Sequence, residues 1–413
     1  MKRFSILAAA ALLSAAPLCA QGASLTTLLA FDGSNGAYPN GDLAFDATGN
    51  LYGAASGDLA LGGTVYNGTV FKLTQAANWA PSTVVTFTGP NGSWPRSGVL
   101  FDATGNAFGT TATGGPRGLY PDGTAYEIFA ATARLHTVTQ FLATVNGAGA
   151  AGSQPKANLI FGADGNLYGT TSGGSSGGQG CTYRCGTVFR LDHSLNWHLT
   201  TLVTFKGSDG ADPQSRLLFD SAGNLYGTTI FGGANDMGTV FRLSPPAAGH
   251  TAWKLTTLAT FDGSNGAYPY PGVVADAAGN LYGTTNAGGA NSDGTVFKLK
   301  KSAKWALSSL VTFDGSNGVG PRGALAFDTA GNLYGTTSGV VDGSNPVNNG
   351  TVFKLKKSAN WQLSTIFAFD NTNGAYPFAN LLFDASGILY GTTLAGGNAA
   401  CNLGCGTVFK LVP

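Results

Sequence analysis

Residues 219–229 read FDSAGNLYGTT and residues 238–243 read GTVFRL. This pair recurs seven times. The first half reaches its turn glycine at Gly49, Gly105, Gly165, Gly223, Gly279, Gly331 and Gly387, and the second half begins at Gly68, Gly123, Gly186, Gly238, Gly294, Gly350 and Gly406. Successive first halves are 56, 60, 58, 56, 52 and 56 residues apart. Fixed-period self-similarity marks an array in which each copy is one supersecondary unit that cannot bury its own apolar face. Every copy also carries a proline ahead of its first half and an alternating, β-branched run after its second, such as LTTLVTF at 199–205. Each unit therefore reads as four short strands, a, b, c and d.

The order of strands at the two ends fixes the architecture. The stretch SLTTLLAF at 24–31 is a d strand with no unit of its own, and the chain finishes on a c strand, GTVFKL at 406–411. An open array would leave an exposed strand edge at each end, whereas a ring that pairs its first strand with its last unit removes both. The expected fold is all-β, a seven-bladed propeller of four antiparallel strands per blade over residues 24–413, closed by the N-terminal strand.

Composition agrees. Charged residues are 10% of the 413, against about 25% in ordinary globular chains. There are 63 glycines, roughly double the usual share. Such a chain suits strands and tight turns. Residues 1–20, with Lys2 and Arg3 ahead of an apolar run and small residues, read as a secretory signal peptide too short to span a bilayer. Removing it takes the 22 basic residues to 20 against 21 acidic, a net charge of −1. No basic stripe exists for nucleic acid, and no second apolar run is long enough to cross a membrane. A secreted or periplasmic, monomeric protein is expected.

Four cysteines then remain, Cys181 with Cys185 and Cys401 with Cys405, each pair just before a GTVF strand. An even count at matched positions in an exported chain implies two disulfides. A zinc site built from all four thiolates is disfavoured, because the pairs lie four units apart in the array. The six repeated DxxG carboxylates, Asp46, Asp102, Asp220, Asp276, Asp328 and Asp384, could suggest a metal ring. Asp at the first and Gly at the fourth position of a tight turn is the preferred reading. The DGSNG loops at Asp32, Asp262 and Asp314 read likewise as turns, one carboxylate being too few for calcium. The recurring strand-b tyrosines and the tryptophans that open strand d read as interblade core. No metal or cofactor is expected.

The repeat GNLYGTT with GTVFKL, seven times over the whole mature chain, resembles the bacterial GloVer tandem-repeat proteins, an extracellular family described as having a choice of anchors. Strands a and b are also similar to those of NHL-type propellers. The resemblance implies the fold and an extracellular setting, and it implies no activity. The chain ends at Pro413 with no C-terminal anchor, which leaves attachment open.

In a propeller of this strand order the d-to-a and b-to-c connections share one face, around the inner strands, which makes that channel mouth the default ligand site. Specificity must come from positions where the seven units differ, and these flank the recurring proline. Just before it stand Tyr38, Trp94, Gln154, Asp212, Tyr268, Gly320 and Tyr376; just after it stand Asn40, Arg96, Lys156, Gln214, Tyr270, Arg322 and Phe378. Two residues further on are Asp42, Gly98, Asn158, Arg216, Gly272, Ala324 and Asn380. The expected ligand contacts are Tyr38, Asp42, Trp94, Arg96, Lys156, Asp212, Arg216, Tyr268, Tyr270, Arg322 and Tyr376. Rings that stack on sugar faces, mixed with hydroxyl-bonding groups, suit a polysaccharide, and the excess of cations tilts the choice toward an acidic one.

A catalytic set is not assembled: His136, His193, His198 and His250 fall in c-to-d turns or d strands, and the single Glu, Glu127, lies on strand c of the most degenerate unit. The expected role is a glycan-binding module. A scaffold for a protein partner is the alternative, and a polysaccharide lyase or hydrolase, using Asp42 and Asp212, comes third.

Overall fold

The computed structural model describes residues 22–57, 68–116, 122–142, 152–174, 185–339, 349–357, 361–401 and 403–413. The leader read at 1–20 lies outside them. Seven four-stranded antiparallel sheets form a seven-bladed propeller. Blade 1 runs a Ala44–Phe45, b Leu51–Ala55, c Thr69–Thr74 and d Ala80–Thr86. Blade 4 runs a Leu218–Phe219, b Leu225–Thr229, c Thr239–Ser244 and d Lys254–Thr260. Blade 7 takes a Leu382–Phe383, b Leu389–Thr393 and c Thr407–Val412 from the end of the chain and d Ser24–Ala30 from its beginning. The closing pair runs from Ser24 opposite Val412 to Ala30 opposite Thr407, with one register shift between Thr27 and Leu29. No helix of the described residues is long and apolar enough to cross a membrane.

Strand a is only two residues long in every blade. The reason is local. The Asp220 N–H bonds the Asn224 carbonyl at 3.0 Å, and the Asp220 carboxylate accepts the N–H groups of Ala222 and Asn224 at 2.9 Å each. The chain has already begun its turn at that residue. Asn224 Nδ2 adds a bond to the same carboxylate at 2.8 Å and Tyr226 Oη another at 3.0 Å. Partial burial alone would raise the carboxyl pKa, but these bonds outweigh it and hold Asp220 below the ordinary value of 3.8. Asp46, Asp276 and Asp328 are held down in the same way. The asparagine of this clasp also reaches across to the c-to-d turn, as when Asn280 Oδ1 accepts the Lys301 N–H at 2.9 Å. The acidic ring is therefore a ring of capped turns. Among the DGSNG loops, Asp32 likewise caps Ser34 and Asn35.

Two contacts, each repeated around the ring, hold blade to blade. The phenylalanine after each d strand meets an aromatic ring on strand c of the next blade, with centroids 5.2 Å apart for Phe31 and Phe71 and 5.1 Å for Phe205 and Phe241. Strand-b rings meet strand-a rings in the same sense, Tyr390 with Phe45 at 5.2 Å, and Trp79 packs on Tyr390 at 5.6 Å. Full burial of residues such as Phe241, Leu225 and Leu243 contributes roughly 1.5–3 kcal/mol each.

The second contact is between proline and glycine. A Cβ on Gly238 would lie 2.6 Å from Pro269 Cδ and 2.5 Å from the Thr229 carbonyl oxygen; on Gly406 it would lie 2.6 Å from Pro39 Cδ. The glycine that opens each GTVF is thus required by the ring of the next blade's proline, and at Gly406 this contact closes the circle.

Candidate functional site

Each proline is preceded by a residue held in the left-handed region: Tyr38, Trp94, Gln154, Asp212, Tyr268, Gly320 and Tyr376 have φ between 54° and 62°. That conformation costs a non-glycine residue roughly 1–2 kcal/mol, and hydrogen bonds on both sides of the peptide hold it. The Tyr268 N–H donates to the Met237 carbonyl of the preceding blade's b-to-c connection at 2.9 Å, and the Tyr268 carbonyl accepts the Asn286 N–H at 3.1 Å. At the seam the Tyr38 N–H donates to Cys405 at 2.8 Å, while Cys405 is tied to Cys401 by a disulfide. Cys185, which is disulfide-bonded, presents its carbonyl to the Asp212 N–H at 3.1 Å. Its expected partner Cys181 lies outside the described residues.

With the chain held in this way, the residue after each proline lines the channel. A cavity of about 410 Å³ at the mouth is lined by Asn40, Arg96, Lys156, Gln214, Tyr270, Arg322 and Phe378. These are the seven residues that follow the prolines. Of those that precede them, only Tyr38 and Trp94 reach its rim, joined by Ser56, Gly57 and Leu394 from the starts of b-to-c connections. The remaining expected contacts are placed elsewhere. Tyr268 meets Phe231 edge-to-face with centroids 5.5 Å apart, Asp212 accepts Gln214 Nε2 at 3.0 and 3.1 Å, and neither they nor Tyr376 line the cavity. Asp42 and Arg216 lie one layer deeper. Asp42 and Asp212 are thus not brought together as a carboxylate pair.

The mouth is cationic and flat-walled. Arg322 lies between two rings, 4.5 Å from the Tyr270 centroid and 4.7 Å from that of Phe378, and Arg96 lies 5.5 Å from Trp94. Burial, and next the like charge of Arg322, lower the pKa of Arg96 from its ordinary value. The Nε atoms of both arginines are buried without a hydrogen-bond partner. Ion pairs among the described residues include Lys72 with Asp46, His136 with Glu127 and Arg190 with Asp192, and among those residues neither mouth arginine has a carboxylate at ion-pair distance.

Below the mouth the channel narrows to a neck of about 100 Å³. Asp42 Oδ2 accepts the side-chain amides of Asn158 at 2.6 Å and Asn380 at 2.7 Å, and Oδ1 accepts the Asn380 N–H at 3.0 Å. Asn158 reaches past blade 2 because Gly98 stands there: a Cβ would sit 2.3 Å from the Asp42 carbonyl oxygen, and the Gly98 N–H instead donates to Asn158 Oδ1 at 2.6 Å. Part of Asp42 still touches channel water, yet protein surrounds it. Burial raises its pKa, and the Asn380 N–H, the charge of Arg216 and the two amides oppose that rise without cancelling it. Beyond the neck a cavity of about 350 Å³ opens on the other face, walled by Phe45, Leu100 and Leu382 among others.

A larger groove of about 840 Å³ lies between blades 3 and 4 near Tyr168, Pro245, Pro246 and Trp253. Its charged groups are engaged at home: Asp164 with Asn166 and Tyr168, Arg190 with Asp192. At the mouth, Arg96 and Arg322 have no such carboxylate partner among the described residues.

A model of the Gloeobacter/Verrucomicrobia repeat matches residues 17–185, 117–344 and 251–413. The chain belongs to that repeat family. No curated protein matches it. Among solved structures, virginiamycin B lyase from Staphylococcus aureus is similar in fold, with 12% identity over 95% of this chain and 100% of that one and a TM-score of 0.58. A luciferin-regenerating enzyme matches at 14% identity over 84% of this chain and 99% of that one, with a TM-score of 0.48. At such identities the likeness is one of fold. The repeat-family chain has a disulfide and no membrane-crossing helix among its described residues, as an extracytoplasmic protein does.

Proposed function

We propose that this propeller is an extracytoplasmic binding module that takes an acidic glycan at its channel mouth. One observation carries the reading: Arg96 and Arg322 face a single cavity with no carboxylate at ion-pair distance, each beside an aromatic plate. Guanidinium groups match carboxylates and sulfates in fork geometry, and the rings of Trp94, Tyr270 and Phe378 offer faces for sugar C–H groups. A mouth of this volume lies within the usual range for small-ligand sites, about 300–1,000 Å³. The test is titration calorimetry of the whole protein with uronate and sulfated oligosaccharides, repeated with Trp94→Ala and Arg322→Ala. Binding that is lost in both variants and weakens with salt supports the proposal. Failure to bind any acidic oligosaccharide, or undiminished binding by both variants, overturns it and favours a protein partner on the b-to-c connections, where Phe231 is 38% exposed.

A further inference from the structure

Resting on that reading of the mouth, a second question is how a chain molecule would enter it. Arg96, Lys156, Gln214, Tyr270, Arg322 and Phe378 line both the mouth and the neck. The two spaces are one funnel running down the axis, not a groove crossing the face. The neck holds about 100 Å³, room for roughly three waters or for one charged group. Half of its circumference is tied shut by Asp42 with Asn158 and Asn380. On the other side stands Arg216, whose backbone carbonyl fills the space beside Gly272, where a Cβ would lie 2.3 Å from it, and the Ala324 N–H donates to Asn380 Oδ1.

Arg216 is exposed and lines the neck and the cavity beyond it. Asp42, whose carboxyl feels the charge of Arg216, is not at ion-pair distance from it and already accepts three hydrogen bonds. We infer that the funnel captures the end of an anionic chain, seating a terminal carboxylate or sulfate on Arg216 while the units behind it lie between Arg96, Arg322 and their rings. Cations in two tiers along the axis match a ligand with charges spaced along its length, entering end-on.

Galacturonate oligomers from dimer to octamer, titrated against the whole protein, decide the matter. Capture of an end predicts a dissociation constant per chain that levels off once the funnel is filled, and stays level in the octamer. Arg216→Gln should weaken the dimer about tenfold, as loss of a charged hydrogen bond partly open to water, with the thermal midpoint unchanged. An affinity per chain that keeps rising in proportion to length means that the polymer lies across the mouth, and overturns end capture while leaving the binding function intact. Equal binding of the dimer by Arg216→Gln and the unaltered protein also overturns it. If the unaltered protein binds no uronate or sulfated oligomer at all, the mouth reading itself falls, and end capture with it.

Discussion

On the turn face, Asp220, Asn224 and Tyr226 make the same clasp that Asp276, Asn280 and Tyr282 make one blade on, down to the 2.8 Å amide bond and the 3.0 Å phenol bond. On the mouth face, the equivalent positions of those two blades carry Gln214 and Tyr270. The backbone beneath is the same in both blades, since Asp212 and Tyr268 sit at φ 56° and 57°. The ring thus spends its repetition on one face to free the other: hydrogen-bonded turns and Pro–Gly contacts hold the frame, and side chains at the channel are left to vary. The difference teaches where polar groups satisfy each other and where they wait for something else.

The comparison breaks most completely if the circle itself is opened. A chain lacking Ser24–Ala30 loses the partner of Thr407–Val412 along its whole length, and both faces should fail together, as insolubility or a markedly lowered melting point. Equal midpoints for the shortened and full mature chains would contradict the closure.

A subtler break uses the frame alone. Gly238→Ala places a methyl group against Pro269 and the Thr229 carbonyl at a φ of 97°, costing about 3 kcal/mol in chemical denaturation. A loss below 1 kcal/mol would mean that the blades separate more easily than their contacts imply.

Asp220→Ala removes the acceptor of four hydrogen bonds and should cost roughly 1–2 kcal/mol, since the site is only partly buried. Uronate binding should be unchanged. Arg96→Ala should do the reverse. Binding weakens about tenfold, and stability holds or rises because a buried charge next to Arg322 has been removed. Parallel changes in both quantities for either variant would erase the division of labour.

The smallest effect lies in pH. The clasp carboxylates are held below 3.8, so the stability they supply is complete above that value and is lost as pH falls through their lower folded values. Asp42 has the opposite sign: its folded pKa is raised, so it takes up a proton in the folded state first, and acid relieves a cost. An Asp42→Asn chain should therefore differ from the parent more at pH 7 than at pH 4, measured by melting point. An unchanged difference would show that Asp42 does not titrate anomalously.

The fold was legible because its information is repeated. Seven copies of one pattern, with a spare d strand at Ser24 and a missing one after Thr407–Val412, leave a closed ring as the consistent solution. The mouth was legible only in part. Sequence marks the residues on both sides of each proline as equivalent candidates, and a residue before proline is ordinarily extended. Here it is left-handed in every blade, and Tyr268, Tyr376 and Asp212 lie away from the cavity that Asn40, Gln214 and Phe378 line. Ser56, Gly57 and Leu394 carried one signal that could have found them, their position just after strand b on the same face. The bridges from Asp42 to Asn158 and Asn380 join residues 116 and 338 positions apart, and no local pattern encodes such a pairing.

The strand made first is the strand used last. Blades complete in chain order have their own d strands as neighbours, but Ser24–Ala30 stays without a sheet until Thr407–Val412 has been delivered, a long-range step of the slow kind. During that interval the molecule carries a loose strand at one end and an open sheet edge at the other. The c strands are nearly interchangeable, TVFKLV in blade 7 and TVFKLK in blades 5 and 6, so register alone does not tell the chain's own edge from another molecule's. Crowded refolding should then produce head-to-tail concatemers by strand exchange, and dilution is the condition under which each ring closes on itself.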